Sequence, residues 1–378
     1  MKFSSRTSFG VSEPNALSLL LEKKKAEGVG LLDLTESNPT RCAFRALSKE
    51  LLAPLQAPLN IHYEPSARGL IVAREAISGY YADRNISVHP DDVFVACGTS
   101  EAYSMLFHLL CEAGDEVLCQ SPAYPLVDHL ASYAGIRTRH FSGAVPAAEK
   151  AKALVVVNPA NPSGRYTDEN AWMTLDASCE KNGLAVISDE VFFEFDWRKR
   201  PRISGACLPA GRLRDLNVLH FTLNGVSKML GLPQMKLAWI VLSGPEKERR
   251  QAAERLEAIA DAFLSVSTPP QNALPYWLKH RQDFIEEALL RVKANFAELN
   301  RALGQVLPEP EGGWYALVPL DKGRSDEETS LRLLEEQDLL VHPGYFFDLE
   351  KESLVVSLLS EQALFSQASK RLFEGLNT

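Results

Sequence analysis

The feature that most constrains the fold of this chain is a regular alternation of short apolar runs with helical segments between residues 69 and 242. Residues 153–157 read Ala-Leu-Val-Val-Val, with no polar side chain, which is typical of a strand covered on both faces. Further short, largely apolar runs occur at residues 93–97, 116–119, 184–188, 218–222 and 237–242. Segments with helical periodicity lie between them, at residues 70–84, 101–111, 125–134 and 169–182. This alternation predicts an α/β fold with a mostly parallel sheet and helices on both faces.

The pattern changes after residue 245. A long helical region, 245–304, is interrupted near Ser267, and three strand-like segments separated by helices follow it. We therefore predict a second, smaller α+β domain that the N-terminal segment completes. The predicted bounds are residues 1–45 for that N-terminal segment, 46–275 for the large domain and 276–378 for the small domain.

Charge and hydropathy disfavour several classes of function. The chain has 378 residues and a formal net charge of −9, which gives no electrostatic support for nucleic-acid binding. No apolar run approaches the length of a membrane-spanning helix, and the N-terminus lacks the apolar core of a secretory signal. The six cysteines show no C-x-x-C spacing, which indicates reduced thiols. We therefore expect a cytoplasmic protein without a bound metal, a nucleic-acid partner or a membrane anchor.

Three polar motifs follow predicted strands. Lys228 lies in Gly-Val-Ser-Lys-Met-Leu-Gly-Leu-Pro, Asp189 ends Leu-Ala-Val-Ile-Ser, and Asn161 lies in Asn-Pro-Ala-Asn-Pro-Ser-Gly. Ligands of parallel sheets bind outside the strand ends, where these motifs fall. A lysine amine, a carboxylate and an amide-rich turn are the groups needed to hold pyridoxal phosphate. Taken singly, each has a simpler interpretation, as a surface lysine, a helix cap and a Pro/Asn/Gly turn.

The order and spacing of these motifs resemble the class I/II aminotransferases, which are pyridoxal phosphate enzymes of fold type I. The resemblance extends from about Tyr63 to the last strands. It implies that Lys228 forms the Schiff base with the cofactor and moves a proton at the substrate α-carbon. It also implies that Asp189 pairs with the pyridinium N–H and that Asn161 contacts the phenolic oxygen of the cofactor.

The turn Gly98-Thr99-Ser100-Glu101 follows a strand and opens a helix. Backbone N–H groups at a helix N-terminus are unpaired and the helix dipole favours an anion, so a phosphate fits this turn, although a plain Ser/Thr cap is the simpler interpretation. The resemblance implies that Thr99 and Ser100 bind the cofactor phosphate. Lys236 stands where the family has an arginine as a further phosphate ligand, and a lysine cannot form the bidentate contact of that arginine.

Two tyrosines also match the family. Tyr124, in Ser-Pro-Ala-Tyr-Pro, matches the aromatic residue that stacks on the pyridine ring. Tyr63, in His-Tyr-Glu-Pro-Ser, matches a tyrosine that reaches the phosphate in the neighbouring subunit. The resemblance therefore implies a homodimer whose active sites are shared across a two-fold axis.

Three further positions depart from the family pattern. Phe192 stands where the family has a tyrosine, and Gly225 where it commonly has a serine. Val355 stands at the position of the arginine that binds the substrate carboxylate, and an apolar side chain cannot replace that arginine. We predict that Asn38 and Arg41, on the N-terminal segment, bind substrate instead, although a solvated loop arginine is the commoner arrangement.

The resemblance implies an aminotransferase that moves an amino group from an amino acid or amine to an oxo acid through Lys228. One alternative is a pyridoxal phosphate enzyme of the same fold that catalyses elimination, decarboxylation or racemisation, which the Val355 departure favours. A second alternative is a non-catalytic cofactor-binding regulator. The absence of a helix-turn-helix pattern or basic cluster before Tyr63, and the retention of Lys228, disfavour it. Trp314 is predicted to line or support the small-domain side of the pocket, and the identity of the substrate stays open.

Overall fold

The computed structural model of the chain describes residues 3–7, 14–122, 125–198, 202–206 and 217–377. Its strands, in chain order, are β1 Leu32–Asp33, β2 Val93–Ala96, β3 Glu116–Gln120, β4 Arg137–Phe141, β5 Ala151–Val157, β6 Ala185–Asp189, β7 His220–Gly225, β8 Ala238–Ser243, β9 Tyr315–Pro319, β10 Leu339–Leu340, β11 His342–Pro343 and β12 Ser353–Ser357.

The α-helices are α1 Ala16–Ala26, α2 Ile71–Ala82, α3 Thr99–Leu110, α4 Leu126–Ala134, α5 Glu169–Asn182, α6 Val226–Met229, α7 Glu246–Phe263, α8 Thr268–Lys279, α9 Arg281–Leu303, α10 Asp326–Gln337 and α11 Gln362–Asn377. Short 3₁₀ helices occur at Ser5–Thr7, Pro39–Arg41, Lys49–Gln56, Pro58–Ile61, Pro90–Asp92, Pro233–Met235 and Gly344–Phe347. Within the described ranges, no helix combines the length and the apolarity that crossing a membrane requires.

The large sheet has seven strands in the order β2-β8-β7-β6-β5-β3-β4. Pairs from β7 to β4 are parallel, whereas β8 is antiparallel to both of its neighbours, β2 and β7. Successive residues of β8 enter different cores, because Trp239 and Val241 pack in one cluster and Ile240 and Leu242 in the other. The predicted α/β fold, with a mostly parallel sheet covered on both faces, is confirmed.

Two small sheets lie outside the large one. Strands β11, β12 and β9 form a three-stranded antiparallel sheet, and β1 pairs in parallel with β10. In the second pair, Leu32 lies opposite Leu339, so the N-terminal segment joins the C-terminal part of the chain. These pairings confirm the predicted smaller α+β part, while the bounds predicted for the three segments stay a prediction.

The central strands bring the three polar motifs to one edge of the large sheet. Strands β5, β6 and β7 are parallel neighbours, so their carboxyl ends lie side by side. Asn161 follows β5, Asp189 ends β6, and Lys228 lies in α6, directly after β7. The backbone N–H of Asn158 donates to the carbonyl of Asp189 at 2.8 Å, which ties the first two strand ends together.

Candidate active site

Asp189 is a buried carboxylate with two donors from the protein. Its side chain is 8% exposed. Its Oδ2 accepts a hydrogen bond from the Tyr103 hydroxyl at 3.1 Å, and its Oδ1 accepts from the Val191 N–H at 3.2 Å. Burial raises the pKa of Asp189 to about 6, although the two hydrogen bonds and the charge of Lys228 oppose that rise. The end of β6 therefore holds a fixed carboxyl group whose protonation state depends on the charges and hydrogen bonds around it.

Lys228 lies against two aromatic rings. Its Nζ is 5.5 Å from the ring centroid of Phe192 and 5.3 Å from that of Trp314. Burial lowers the pKa of Lys228, and the charge of Asp189 opposes this effect. A lowered pKa increases the share of neutral amine, which is the form that attacks a carbonyl carbon.

Asn161 shares two aromatic neighbours with Lys228. The residue is 8% exposed, and its Oδ1 is a buried atom with no hydrogen-bond partner among the described residues. Asn161 lines a small cavity together with Phe192, Trp314 and Tyr315, and the first two of these aromatic residues also contact Lys228. An amide oxygen with unused hydrogen-bonding capacity therefore lies close to the two rings that contact the lysine.

The start of α3 provides a place for an anion. Gly98 precedes the helix in an extended conformation, and Glu101 in the first turn accepts a hydrogen bond from the Cys97 N–H at 2.6 Å. Thr99 and Ser100 are the first two residues of the helix and are half-buried. A Cβ atom on Gly98 would lie 3.5 Å from Lys236 Nζ, so this amine lies at the N-terminus of α3. The helix end and the ammonium group together suit a phosphate.

The remaining predicted residues lie elsewhere or outside the described ranges. Tyr63 is 69% exposed, in the segment before α2. Tyr124 lies outside the described residues. Asn38 caps the 3₁₀ helix Pro39–Arg41 and accepts a hydrogen bond from the Thr40 N–H at 3.1 Å.

Arg41 faces a different cavity from the one beside Asn161. Its side chain is 73% exposed and lies 3.6 Å from Glu36. It lines a cavity with Leu364 and Phe365 of α11. The substrate-binding role of Asn38 and Arg41 stays a prediction.

The structure gives a physical reason for the glycine at position 225. A Cβ atom on Gly225 would lie 2.9 Å from the Ala238 Cβ and 2.9 Å from the Leu237 carbonyl oxygen, closer than such atoms approach. A serine therefore does not fit between β7 and β8 without a backbone shift. Val355 is 1% exposed in β12, opposite Leu317 and His342, so it is part of the core of the small sheet.

The sequence patterns did not indicate Tyr103, which contacts Asp189 directly. The one available signal was its position four residues after Thr99, which places the two side chains on the same face of a helix. That spacing is common in every helix, so it carried no functional meaning before the partner was known.

The donor set fits pyridoxal phosphate. A lysine of lowered pKa suits the aldehyde, a buried carboxylate suits the pyridinium nitrogen, and the buried side-chain amide of Asn161, which has both an acceptor and a donor, suits the phenolic oxygen. The helix start beside Lys236 suits the phosphate.

Comparisons with known proteins agree with this fit. The model of the family "aminotransferase class I and II" matches residues 28–365. The glutamate-pyruvate aminotransferase of Haemophilus influenzae is 28% identical over 344 residues, which cover 84% of this chain and 83% of the relative. The alanine aminotransferase of Mycobacterium tuberculosis is 28% identical over 353 residues, covering 86% and 80%.

Solved structures show the same fold. The alanine aminotransferase of Pyrococcus furiosus superposes with a TM-score of 0.86 at 21% identity, over 100% of both chains. The aspartate aminotransferase of Thermotoga maritima superposes with a TM-score of 0.82 at 21% identity, also over 100% of both chains.

Proposed function

Because this chain belongs to the class I and II aminotransferases, which are pyridoxal phosphate-dependent enzymes, we propose that Lys228, Asp189 and Asn161 form the active site of this transaminase. The observation that carries the proposal is the convergence of three neighbouring parallel strands. They bring an amine of lowered pKa, a buried carboxylate and an amide whose Oδ1 has no partner among the described residues to one edge of the sheet.

Each group has a distinct task in this proposal. Lys228 holds the cofactor aldehyde and Asp189 pairs with the protonated ring nitrogen. Asn161 donates to the phenolic oxygen, and Thr99, Ser100 and Lys236 hold the phosphate. The bound cofactor supplies an electron sink that stabilises negative charge at the substrate α-carbon.

Lys228 is also the base that moves a proton at that carbon. Its lowered pKa increases the share of the neutral amine, which is the form that accepts a proton from that carbon. The Phe192 and Trp314 rings beside Nζ exclude water, and their faces attract the ammonium ion that forms after proton uptake. The same two rings therefore favour the neutral amine by burial and limit the cost of its protonation.

The relatives suggest where the substrate search should begin. Their names make alanine, glutamate and pyruvate the first substrates to test. Val355 offers no positive charge to a carboxylate, so each amino acid should be compared with the amine that lacks its carboxyl group. Transamination predicts conversion of the cofactor to its amine form together with an oxo product, whereas a lyase would release ammonia.

Borohydride reduction of the cofactor-loaded protein, followed by peptide mapping, tests the assignment of the lysine. We expect the label on Lys228, and no label after Lys228→Ala. Lys351→Ala removes an exposed lysine and serves as the matched control, with labelling as in the wild type. A label on any other lysine would contradict the proposed site.

We also propose that the working unit is a homodimer in which Tyr63 contributes to the partner's phosphate site. An apolar face, formed by Leu59, Ile61, Tyr63, Phe263 and Leu264, supports this proposal because each of these side chains is at least 41% exposed. The Ser66 N–H donates to Ser265 Oγ at 2.7 Å, so the two segments of this face are adjacent. Exposed apolar groups that cluster in this way are typical of protein–protein interfaces.

Sedimentation tests the dimer directly. Ile61 is 84% exposed, so Ile61→Glu should leave the fold intact and convert the dimer to a monomer. Leu290→Glu, at a 72% exposed position on α9, is the matched control and should sediment like the wild type. A wild-type monomer, or an unchanged dimer after Ile61→Glu, would refute this interface.

We also propose a cytoplasmic location and three segments, with the bounds 1–45, 46–275 and 276–378. Pairing of β1 with β10 supports an N-terminal segment that belongs with the C-terminal part. Free thiols at the five cysteines within the described ranges support a reducing compartment: Cys42, Cys97, Cys111, Cys119 and Cys179.

A further inference from the structure

We propose that Tyr103 is a positioning residue for the reaction: its hydroxyl orients the Asp189 carboxylate and keeps it ionised to receive the cofactor ring nitrogen. The inference rests on the proposed function and extends it to a residue for which no motif gave a role. Tyr103 acts through Asp189 and does not itself contact the reacting atoms.

The contact is buried on both sides. Tyr103 is 3% exposed and Asp189 is 8% exposed, and their oxygen atoms lie 3.1 Å apart. The tyrosine ring packs against Phe107, with 5.9 Å between the ring centroids, so the core fixes the position of the hydroxyl. The second carboxylate oxygen accepts from the Val191 N–H at 3.2 Å. Among the described residues, each oxygen therefore has one donor, and turning the carboxylate out of this orientation would break both hydrogen bonds.

Helix α3 links this contact to the proposed phosphate site. Thr99 begins the helix, and Tyr103 lies four residues later, on the same face and about one turn further along. A single rigid helix therefore presents an anion site at its N-terminus and, one turn later, the hydroxyl that holds Asp189. We infer that α3 sets the distance between the phosphate site at Thr99 and Asp189, which pairs with the ring nitrogen.

The electrostatic surroundings require a donor at this position. Among the described residues, the charged group that acts on Asp189 from another element is Lys228, while Cys119 of β3 faces Tyr103. Burial and then the charge of Asp189 raise the pKa of Tyr103 well above its usual value, so the hydroxyl stays protonated and donates. Its hydrogen bond lowers the pKa of Asp189 against the larger effect of burial. Without the hydroxyl, a larger fraction of Asp189 is protonated at neutral pH, and a protonated carboxyl group is a poor partner for a protonated ring nitrogen.

The test is the pH dependence of pyridoxal phosphate affinity, measured by equilibrium dialysis from pH 5 to pH 9. Tyr103→Phe removes the hydroxyl and keeps the ring. We expect about tenfold weaker binding at pH 7, with the loss of affinity on acidification beginning about one pH unit higher than in the wild type. Ionisations of the cofactor itself are common to all variants, so the difference between the proteins isolates Asp189.

The chain offers a closely matched control. Tyr80 is 2% exposed and its hydroxyl donates to the Glu194 carboxylate at 2.6 Å. Tyr80→Phe therefore removes the same kind of buried bond away from Asp189, and we expect its pH profile to match the wild type. Equal shifts in both variants, or no shift in Tyr103→Phe, would overturn the inference.

Two further variants keep the test decisive. In an Asp189→Asn background, Tyr103→Phe should cause no additional pH shift, because the titrating group is gone; an additional shift would count against the inference. If Tyr103→Phe fails to fold, Tyr103→Met also lacks the donor and should give the same shift. The two possible failures can be told apart. If the proposed function is wrong, the wild type does not bind the cofactor through Lys228. If only this inference is wrong, borohydride still labels Lys228, and the pH dependence of cofactor affinity is the same in Tyr103→Phe as in the wild type.

Discussion

Replacing Asp189 with asparagine should stabilise the cofactor-free protein at pH 8 and leave its stability nearly unchanged at pH 4. Burial raises the folded-state pKa of Asp189 from 3.8 to about 6, so the folded protein binds more protons than the unfolded chain in that interval. Stability is therefore lost as the pH rises from about 4 to about 6, and the cost persists above that range. At 1.36 kcal/mol per pH unit, the loss between pH 4 and pH 8 is about 2 kcal/mol.

Urea unfolding of the wild type and of Asp189→Asn, followed by circular dichroism at several pH values, measures this cost. The free energy of unfolding of the variant relative to the wild type should increase by about 2 kcal/mol from pH 4 to pH 8. Asp283→Asn, at a side chain 71% exposed, is the control and should show no comparable trend. A difference between Asp189→Asn and the wild type that does not vary with pH would refute the reasoning. With pyridoxal phosphate present the order should reverse, because the wild type gains more from binding.

Three other predictions concern single side chains around the site. Gly225→Ser should lower stability by about 2 kcal/mol, because the added Cβ meets Ala238 and Leu237 at 2.9 Å; Gly30→Ser has open space and should be nearly neutral in thermal unfolding. Lys236→Ala should weaken cofactor binding about tenfold, while Lys236→Arg should retain it. Binding titrations in low and high salt measure this, and normal binding by the alanine variant would show that Lys236 is not a phosphate ligand. Trp314→Ala should cost about 4 kcal/mol, since the indole is fully buried against Phe192 and Phe195; a loss below about 1 kcal/mol in urea unfolding would contradict this packing.

The sequence was most informative where strands are apolar and helices have clear ends. The predicted helix at residues 169–182 has the bounds observed for α5, because Asp168 caps its start and Gly183, with φ of +64°, ends it. Edge strand β4 was not predicted. Its sequence, Arg-Thr-Arg-His-Phe, is half-exposed, so it lacks the apolar run that identifies a covered strand.

Contacts between distant segments were beyond the reach of sequence patterns. The reason for Gly225 lies in the close approach of β8, and the partner of Tyr103 lies 86 positions along the chain. Both depend on how the sheet and α3 pack. The lysine, aspartate and asparagine motifs could be found because each lies at the end of an apolar run, whereas a tyrosine inside a helix has no comparable local mark.

Asp189 and Glu190 show how the structure separates two adjacent acids of the same sequence motif. Side chains alternate along a strand, so Glu190 points away from the cleft, towards the side of Ser188. There it accepts hydrogen bonds from Ser188 Oγ at 3.1 Å, Ser204 Oγ at 2.6 Å and the Gly205 N–H at 2.6 Å. Asp189 has two donors and shares its surroundings with Lys228. A carboxylate has about four acceptor positions, so Asp189 can accept further hydrogen bonds from a ligand. The hydrogen bonds of Glu190 instead connect the segment around Ser204 to the sheet. We therefore propose Asp189 as the functional acid of the pair, because the fold leaves it incompletely satisfied, at a cost in stability that begins above about pH 4.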